Sequence, residues 1–218
     1  MGFKHIDWIA MKIERWQTVL SDQTPQTTHS NPRGVGMKIL RVAAGLFALS
    51  LIAANAQAQS FTVSSSSVED GHFQQRQFAD VFGCTGKNLS PEISWSGAPP
   101  DTKSFVVTLY DPDAPTGSGW WHWVLANVPA TVNELKEGAG SAGGKLPDGT
   151  LQVHGDSGMP GYLGACPPEG QTHHYVITVY AMNVDTIKLP LTATPAMLGF
   201  MVPGNSLAKA TLTVQGGR

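Results

Sequence analysis

Two carboxylates and a histidine lie close together in the segment YDPDAPTGSGWWHWVLANVP (110–129). Asp111 and Asp113 alternate with prolines, and His122 stands among three tryptophans. A carboxylate that accepts a hydrogen bond from one imidazole nitrogen fixes the tautomer and leaves the other nitrogen free for a ligand or a proton. The combination therefore indicates a small polar site that either binds an anion or transfers protons.

A second group of chemically active residues opens the segment HHYVITVYAM (173–182). Side chains alternate between the two faces of a strand, so His173 and Tyr175 should share one face while His174 points the other way. If the strands that carry His122 and His173 approach each other, Asp111 or Asp113 could orient His122 and His173 could complete the pocket. Glycine-rich loops nearby would add backbone N–H donors, which suit a phosphate or a carboxylate.

The same alternation, applied to residues 121–128, separates His122 from the tryptophans. It predicts that Trp121 and Trp123 share one face with Leu125 and Asn127. His122 would then share the opposite, apolar face with three residues: Val124, Ala126 and Val128. A histidine on an apolar face can also be simple core packing, and DPDAP can be only a turn, so a structural role stays open.

Two other chemical interpretations also remain open. An Asp/His pair could serve a hydrolase that activates water, although no G-x-S-x-G segment supplies a serine nucleophile. Two histidines with two carboxylates could hold a metal ion, although no H-E-x-x-H spacing occurs. Because neither of these motifs occurs, we expect no catalytic residue, no metal and no cofactor.

Strand signals dominate the segments that must position these residues. Three runs are rich in β-branched and aromatic residues: 104–110, 120–128 and 174–182. Weaker strand signals occur at 61–65 and 211–215. Helices are predicted only at 194–202, with Thr194 as cap and Pro195 in the first turn, and at 206–210. The sequence predicts a mainly β domain built from two packed antiparallel sheets with a few short helices.

Residues 37–58 have the layout of a secretory signal peptide. Lys38 and Arg41 precede an apolar run of about 13 residues, which is shorter than the roughly 20 needed to span a bilayer. Cleavage after Ala58 is expected, with an uncleaved anchor as the alternative. Residues 1–36 are interpreted as a disordered segment or an over-extended translation start, or else as an isolated amphipathic helix over 8–20. The mature domain would be 59–218, periplasmic or secreted.

Charge and cysteine content limit the partners of this domain. Residues 59–218 hold 8 Lys and Arg against 13 Asp and Glu, a formal charge of −5, without any basic cluster. Binding to nucleic acid or to an anionic membrane surface is therefore not expected. Two cysteines in an exported chain, Cys84 and Cys166, most simply form one disulfide, and two buried free thiols are the alternative.

Several blocks resemble the phosphatidylethanolamine-binding protein family, and most closely its bacterial Raf kinase inhibitor-like branch. They are FGCTGKNLSPEISWSGAP (82–99), the DPDAP and GSGWWHW blocks, and GYLGACPPEGQTHHYVITVYAM (161–182). The resemblance covers nearly all of residues 59–218. It implies a large central antiparallel sheet packed on a smaller sheet, with an anion pocket at one end.

Carried over position by position, the resemblance assigns eight residues to the anion pocket. The side chains would come from Asp111, Asp113, Pro115, His122, His173 and Tyr175, and the backbone rim from Gly164 and Cys166. The family usually has Arg where this chain has His174. This branch also lacks the long C-terminal helix that caps the pocket in eukaryotic members, so the site should be more open.

The combined expectation is an exported, non-enzymatic protein that binds a small phosphoryl-containing or other anionic ligand. Regulation of a partner protein in the envelope is a further expectation, which the resemblance suggests. Inhibition of an envelope protease or hydrolase, and hydrolysis by the Asp/His pair, are the alternatives.

Overall fold

Two β-sheets and one short α-helix form the part of the chain that the structure, a computed structural model, describes, which is residues 60–218. The predicted signal peptide (37–58), its cleavage site and the extension (1–36) lie outside the described residues.

Seven strands form the large sheet, in the order β2-β3-β10-β9-β5-β6-β8. All its neighbouring strands are antiparallel except β3 and β10. The three strong sequence signals form its centre, because β-branched and aromatic side chains fit a pleated surface that is buried on both faces. The strands are β2 (Val68–Glu69), β3 (His72–Phe73), β5 (Ser104–Asp111), β6 (Trp120–Pro129), β8 (Leu151–Val153), β9 (Thr172–Met182) and β10 (Ser206–Gly217).

The small sheet holds β1 (Thr62–Ser64), β4 (Ile93–Ser96) and β7 (Glu134–Leu135), in the order β1-β4-β7. Its inward residues Ile93, Trp95 and Leu135 join a hydrophobic cluster with side chains from one face of the large sheet. The main core therefore lies between the two sheets, as the sequence predicts. A 3₁₀ turn, Gln75–Gln77, was not predicted.

The opposite face of the large sheet is covered in part by α1 (Pro195–Met201). The Thr194 hydroxyl caps the helix by accepting a hydrogen bond from the Met197 N–H at 3.2 Å. Leu198 and Val202 join a second cluster with Val106 and Val124 of the sheet. This helix confirms the prediction for 194–202. No helix within residues 60–218 is long and apolar enough to cross a membrane.

The helix predicted at 206–210 is wrong, because these residues begin β10. The segment SLAKA has good helix formers, but β10 pairs with β9 from Ser206 to Gly217. Cross-strand pairing and burial of Ala210 and Val214 override the local preference.

A β-bulge in β6 determines where His122 points. Leu109 of β5 pairs with Trp123, and the next residue, Tyr110, pairs with Trp121, so His122 is the extra residue. Such a bulge re-aims side chains relative to simple alternation. The His122 ring lies on the side of the main core, 5.3 Å from the ring of Tyr175.

The predicted faces of β6 are therefore wrong in part. Trp123 and Leu125 belong to the main core on the same side as His122, whereas Trp121 and Val124 pack on the helix side. Val128 returns to the main core after a second irregularity at Asn127, which has a positive φ of 60°.

Candidate functional site

A pocket of about 310 Å³ opens where β5 ends and where β6 and β9 begin. Six of the eight predicted site residues line it: Asp111, Pro115, His122, Gly164, Cys166 and His173. The other lining residues are Phe82, Ala114, Thr116, Trp120, Leu163 and Pro168. The pocket is thus an apolar enclosure with one carboxylate and two imidazoles at its base.

Asp111 is the residue that joins the two imidazoles. Its Oδ1 accepts hydrogen bonds from the backbone N–H of Asp113 at 2.8 Å and of Ala114 at 3.1 Å. Its Oδ2 lies 2.8 Å from Nδ1 of His173 and 3.9 Å from Nε2 of His122. Burial alone would raise the pKa of the Asp111 carboxyl. The nearby imidazole of His122, the hydrogen bond from His173 and the one from the Asp113 backbone outweigh it, so the pKa is lowered and Asp111 is a carboxylate at neutral pH.

His173 is buried and bonded through both ring nitrogens. Its Nδ1–H donates to Asp111, and its Nε2 lies 3.2 Å from the side-chain amide of Gln171. If the His173 ring is neutral, its Nε2 accepts a hydrogen bond from the side-chain nitrogen of Gln171. If the ring is an imidazolium, its Nε2–H donates to the side-chain oxygen of Gln171 instead. Both protonation states of His173 are therefore compatible with its surroundings.

His122 has one satisfied and one unsatisfied ring nitrogen. Nδ1 donates to the backbone carbonyl of Leu163 at 2.8 Å, which holds the ring and leaves Nε2 as the second functional atom. Nε2 is buried and has no hydrogen-bond partner among residues 60–218. It lies on the side of Asp111 at the base of the pocket.

Two predicted site residues do not line the pocket. Asp113 pairs instead with His174, whose backbone N–H and Nδ1 lie 2.7 and 2.8 Å from Oδ2. Both side chains are substantially exposed, and those bonds to His174 lower the pKa of Asp113. His174 thus points away from His173, as alternation predicts.

Tyr175 lies behind the pocket with its side chain fully buried in the main core. Burial, followed by the negative charges of Asp111 and Asp113, raises the pKa of its hydroxyl, so the group stays neutral. Its ring packs against His122 at 5.3 Å and against Phe73 at 5.5 Å. Tyr175 therefore supports the His122 ring from behind.

The rim of the pocket is held by a disulfide and a close backbone contact. Cys84 and Cys166 are bonded, with Cα atoms 5.9 Å apart, which confirms the predicted pairing. Gly164 lies so close to a neighbouring segment that a Cβ atom there would be 2.3 Å from the Ala79 nitrogen. Only glycine fits such an approach, and its N–H donates to Asn88 Oδ1 at 2.7 Å.

Several residues of this site were not predicted. Leu163 contributes a backbone carbonyl, for which a sequence carries no signal. Gln171 could have been found, because it lies two residues before His173 and strand alternation places it on the same face. Phe82, 73% exposed, lies two residues before Cys84 and reaches the pocket through the disulfide-linked loop.

The described side chains of the site do not form a metal-binding cluster. Within the described range 60–218, no group of three or more His, Cys, Asp or Glu side chains is arranged to hold a metal ion. Asp113, one of the four residues considered for such a site, is turned toward His174.

Comparison with known proteins identifies relatives along the same stretch of chain. Residues 64–216 match the family model described as phosphatidylethanolamine-binding protein. The UPF0098 protein YbcL of Escherichia coli (strain K12) is 46% identical over 170 residues, which cover 76% of this chain and 92% of YbcL. The UPF0098 protein YbhB of the same organism is 48% identical over 150 residues, covering 68% of this chain and 95% of YbhB.

Solved structures agree with these matches. The crystal structure of E. coli YbcL, described as a new member of the mammalian PEBP family, aligns with a TM-score of 0.69 at 43% identity. The alignment covers 72% of this chain and 98% of that one. A phosphatidylethanolamine-binding protein homologue of Chlamydia trachomatis aligns at 0.59 and 25% identity, covering 72% and 95%. On its fold, its DPDAP and GSGWWHW blocks and these matches, the chain belongs to the phosphatidylethanolamine-binding protein family.

Proposed function

We propose that the protein is an exported, non-enzymatic binding protein whose pocket holds a phosphoryl or other small anionic group. The observation that carries this proposal is Nε2 of His122, which is buried at the base of the pocket without a hydrogen-bond partner in residues 60–218. Buried polar atoms are nearly always paired, so a ligand atom is the natural partner for this nitrogen.

The charges around the pocket favour an anion as that ligand. Both oxygens of Asp111 already accept hydrogen bonds from the protein, so Nε2 of His122, not the carboxylate, is the atom that the site offers to a ligand. Protonated His122 would present an Nε2–H donor, and a charge-assisted bond to a phosphoryl oxygen is about twice as strong as a neutral one.

Two features support binding rather than catalysis. Thr116 is the sole hydroxyl side chain among the described lining residues, and it donates to the backbone carbonyl of Gly119. The sulfur of Cys166 is bonded to Cys84. Neither is therefore a free nucleophile beside His122.

Export is part of the same proposal and is supported by two independent observations. Residues 37–58 have the pattern of a signal peptide, and a disulfide is typical of proteins outside the reducing cytosol. Mass spectrometry of protein purified from the periplasm should give Gln59 as the first residue. An intact Met1 or Met37 on the stable cellular protein would contradict export with cleavage.

Calorimetric titration with phosphoethanolamine tests the ligand class. The wild type should bind, and His122→Ala should weaken binding by about 1.5–3 kcal/mol, the usual range for a hydrogen bond to a charged group. His173→Ala should also weaken binding, because it removes the partner that orients Asp111.

His174→Ala is the matched control, since it removes the adjacent imidazole on the outer face. It should change affinity little. If His174→Ala loses binding while His122→Ala and His173→Ala keep it, the anion site is on the other face. If none of the three variants matters, the anion binds elsewhere on the protein.

A further inference from the structure

A second cavity, of about 330 Å³, lies on the opposite face of the large sheet, between the sheet and α1. Within residues 60–218 it shares no lining residue with the pocket around His122. Its floor is formed by Val106 and Val124, and Leu198 and Val202 lie opposite them on the helix side. Its size falls in the range of ligand pockets, and its walls are mainly apolar.

Among the described residues, Lys209 is the one charged residue that lines this cavity. It stands on β10 directly across from Tyr180 of β9, which also lines the cavity. No carboxylate within residues 60–218 forms an ion pair with Lys209. One edge of the apolar cavity therefore carries a lysine that is not ion-paired within residues 60–218, on the strand position opposite a tyrosine.

The cavity is open to solvent at the helix, because Gly199 and Pro203 line it and are both exposed.

We propose that this cavity binds a single-chain aliphatic carboxylate. The chain would lie against the partly exposed rings of Trp121 and Tyr180, above the buried floor, and the carboxylate would pair with Lys209. A small free anion should bind weakly here, because it would lose hydration and make no favourable contact with the apolar walls. The uncompensated charge of Lys209 disfavours an aliphatic cation, because like charges brought together repel. The proposal is independent of the anion pocket, which lies on the other face of the sheet.

Titration of the intact protein with sodium dodecanoate below its micelle concentration tests the proposal. We expect saturable one-site binding, which dodecyltrimethylammonium does not reproduce. Lys209→Gln should weaken dodecanoate binding about two- to fivefold, as expected for loss of a partly exposed ion pair. Lys145→Gln is the matched control, because Lys145 is exposed and lines neither cavity, and it should leave binding unchanged.

A second variant tests the site through its shape rather than its charge. A Cβ atom added at Gly199 would meet no other atom within 4 Å, so Gly199→Leu can fold normally while narrowing the cavity. It should weaken dodecanoate binding at least as much as Lys209→Gln, with a urea midpoint no lower than that of the wild type, since leucine is the better helix former. His122→Ala should bind dodecanoate like the wild type. Absence of saturable binding, equal binding by Lys209→Gln, or loss of binding in His122→Ala would each overturn the proposal.

Discussion

Asp111 Oδ2 accepts a hydrogen bond from Nδ1 of His173 at 2.8 Å, although the two residues are 62 positions apart in the chain. Asp111 ends β5 and His173 lies near the start of β9, so the bond fixes the two strands where the pocket opens. Both side chains are at least 95% buried. A buried polar pair with its remaining bonds satisfied is rigid, and this rigidity positions His122 next to it.

Replacing Asp111 should therefore destabilise the fold as well as the site. Asp111→Ala leaves Nδ1 of His173 and two backbone N–H groups without their acceptor. The free energy of unfolding should fall by about 1.5–3 kcal/mol, as for other hydrogen bonds to charged groups. Urea denaturation measures it. Asp113→Ala is the control, because its bond to His174 is exposed, and it should cost less than about 1 kcal/mol. Equal costs for the two variants would contradict a buried role for Asp111.

The lowered pKa of Asp111 gives a dependence of stability on pH. The unfolded chain takes up this proton near the ordinary carboxyl pKa of 3.8, whereas the folded chain takes it up only at a lower pH. The contribution of Asp111 to stability is thus fully present above the unfolded pKa and is lost as pH falls through the folded one. The stability advantage of the wild type over Asp111→Asn should be largest near pH 6 and should shrink toward pH 3. An advantage that grows on acidification would contradict the hydrogen-bonded carboxylate.

The sequence predicts the positions of the strands better than the face on which each side chain lies. Runs of β-branched and aromatic residues identify β5 and β9 within two residues at each end, because these strands are buried on both faces. Alternation also predicts correctly that His173 and Tyr175 share a face. It fails for His122, because a one-residue bulge changes the face and depends on pairing with β5 rather than on composition.

Long-range pairing also explains the other differences between prediction and structure. The segment 206–210 has helix-forming residues and becomes a strand only because β9 offers a partner along its whole length. Asp113 resembles Asp111 in the sequence, but the chain turns between them, and Asp113 reaches the exposed His174 instead of the pocket. These contacts join residues that are far apart in the chain, so they can be identified only once the pairing of the strands is known.

The disulfide should contribute strongly to stability and to the pocket rim. Cys84 and Cys166 are separated by 82 positions. Closing a loop of this length lowers the entropy of the unfolded chain, which raises the free energy of unfolding by about 4–5 kcal/mol in the chain-entropy description. The Cys84→Ser/Cys166→Ser double variant should lose up to this amount in urea denaturation. Non-reducing peptide mapping of periplasmic material should recover the linked pair. Two alkylatable thiols in the native protein would contradict it.

The bulge at His122 makes two neighbouring tryptophans unequal, although simple alternation would place them on the same face. Trp123 is 1% exposed in the main core, and its Nε1–H donates to Gln152 Oε1 at 3.2 Å. Trp121 lies on the helix side, partly exposed, with its ring 4.5 Å from that of Tyr110. Trp123→Ala should lower the free energy of unfolding by about 3–5 kcal/mol, as for other buried large aromatics.

Trp121→Ala should cost clearly less in the same urea denaturation experiment, because water already reaches part of its ring. It should also leave phosphoethanolamine binding unchanged, since Trp121 lines only the cavity beneath α1. Trp123→Ala, measured where it is still folded, should weaken that binding, because Trp123 packs in the core behind the His122 pocket. Equal losses of stability for the two variants, or a binding defect confined to Trp121→Ala, would mean that β6 lacks the bulge and that His122 points to the helix side.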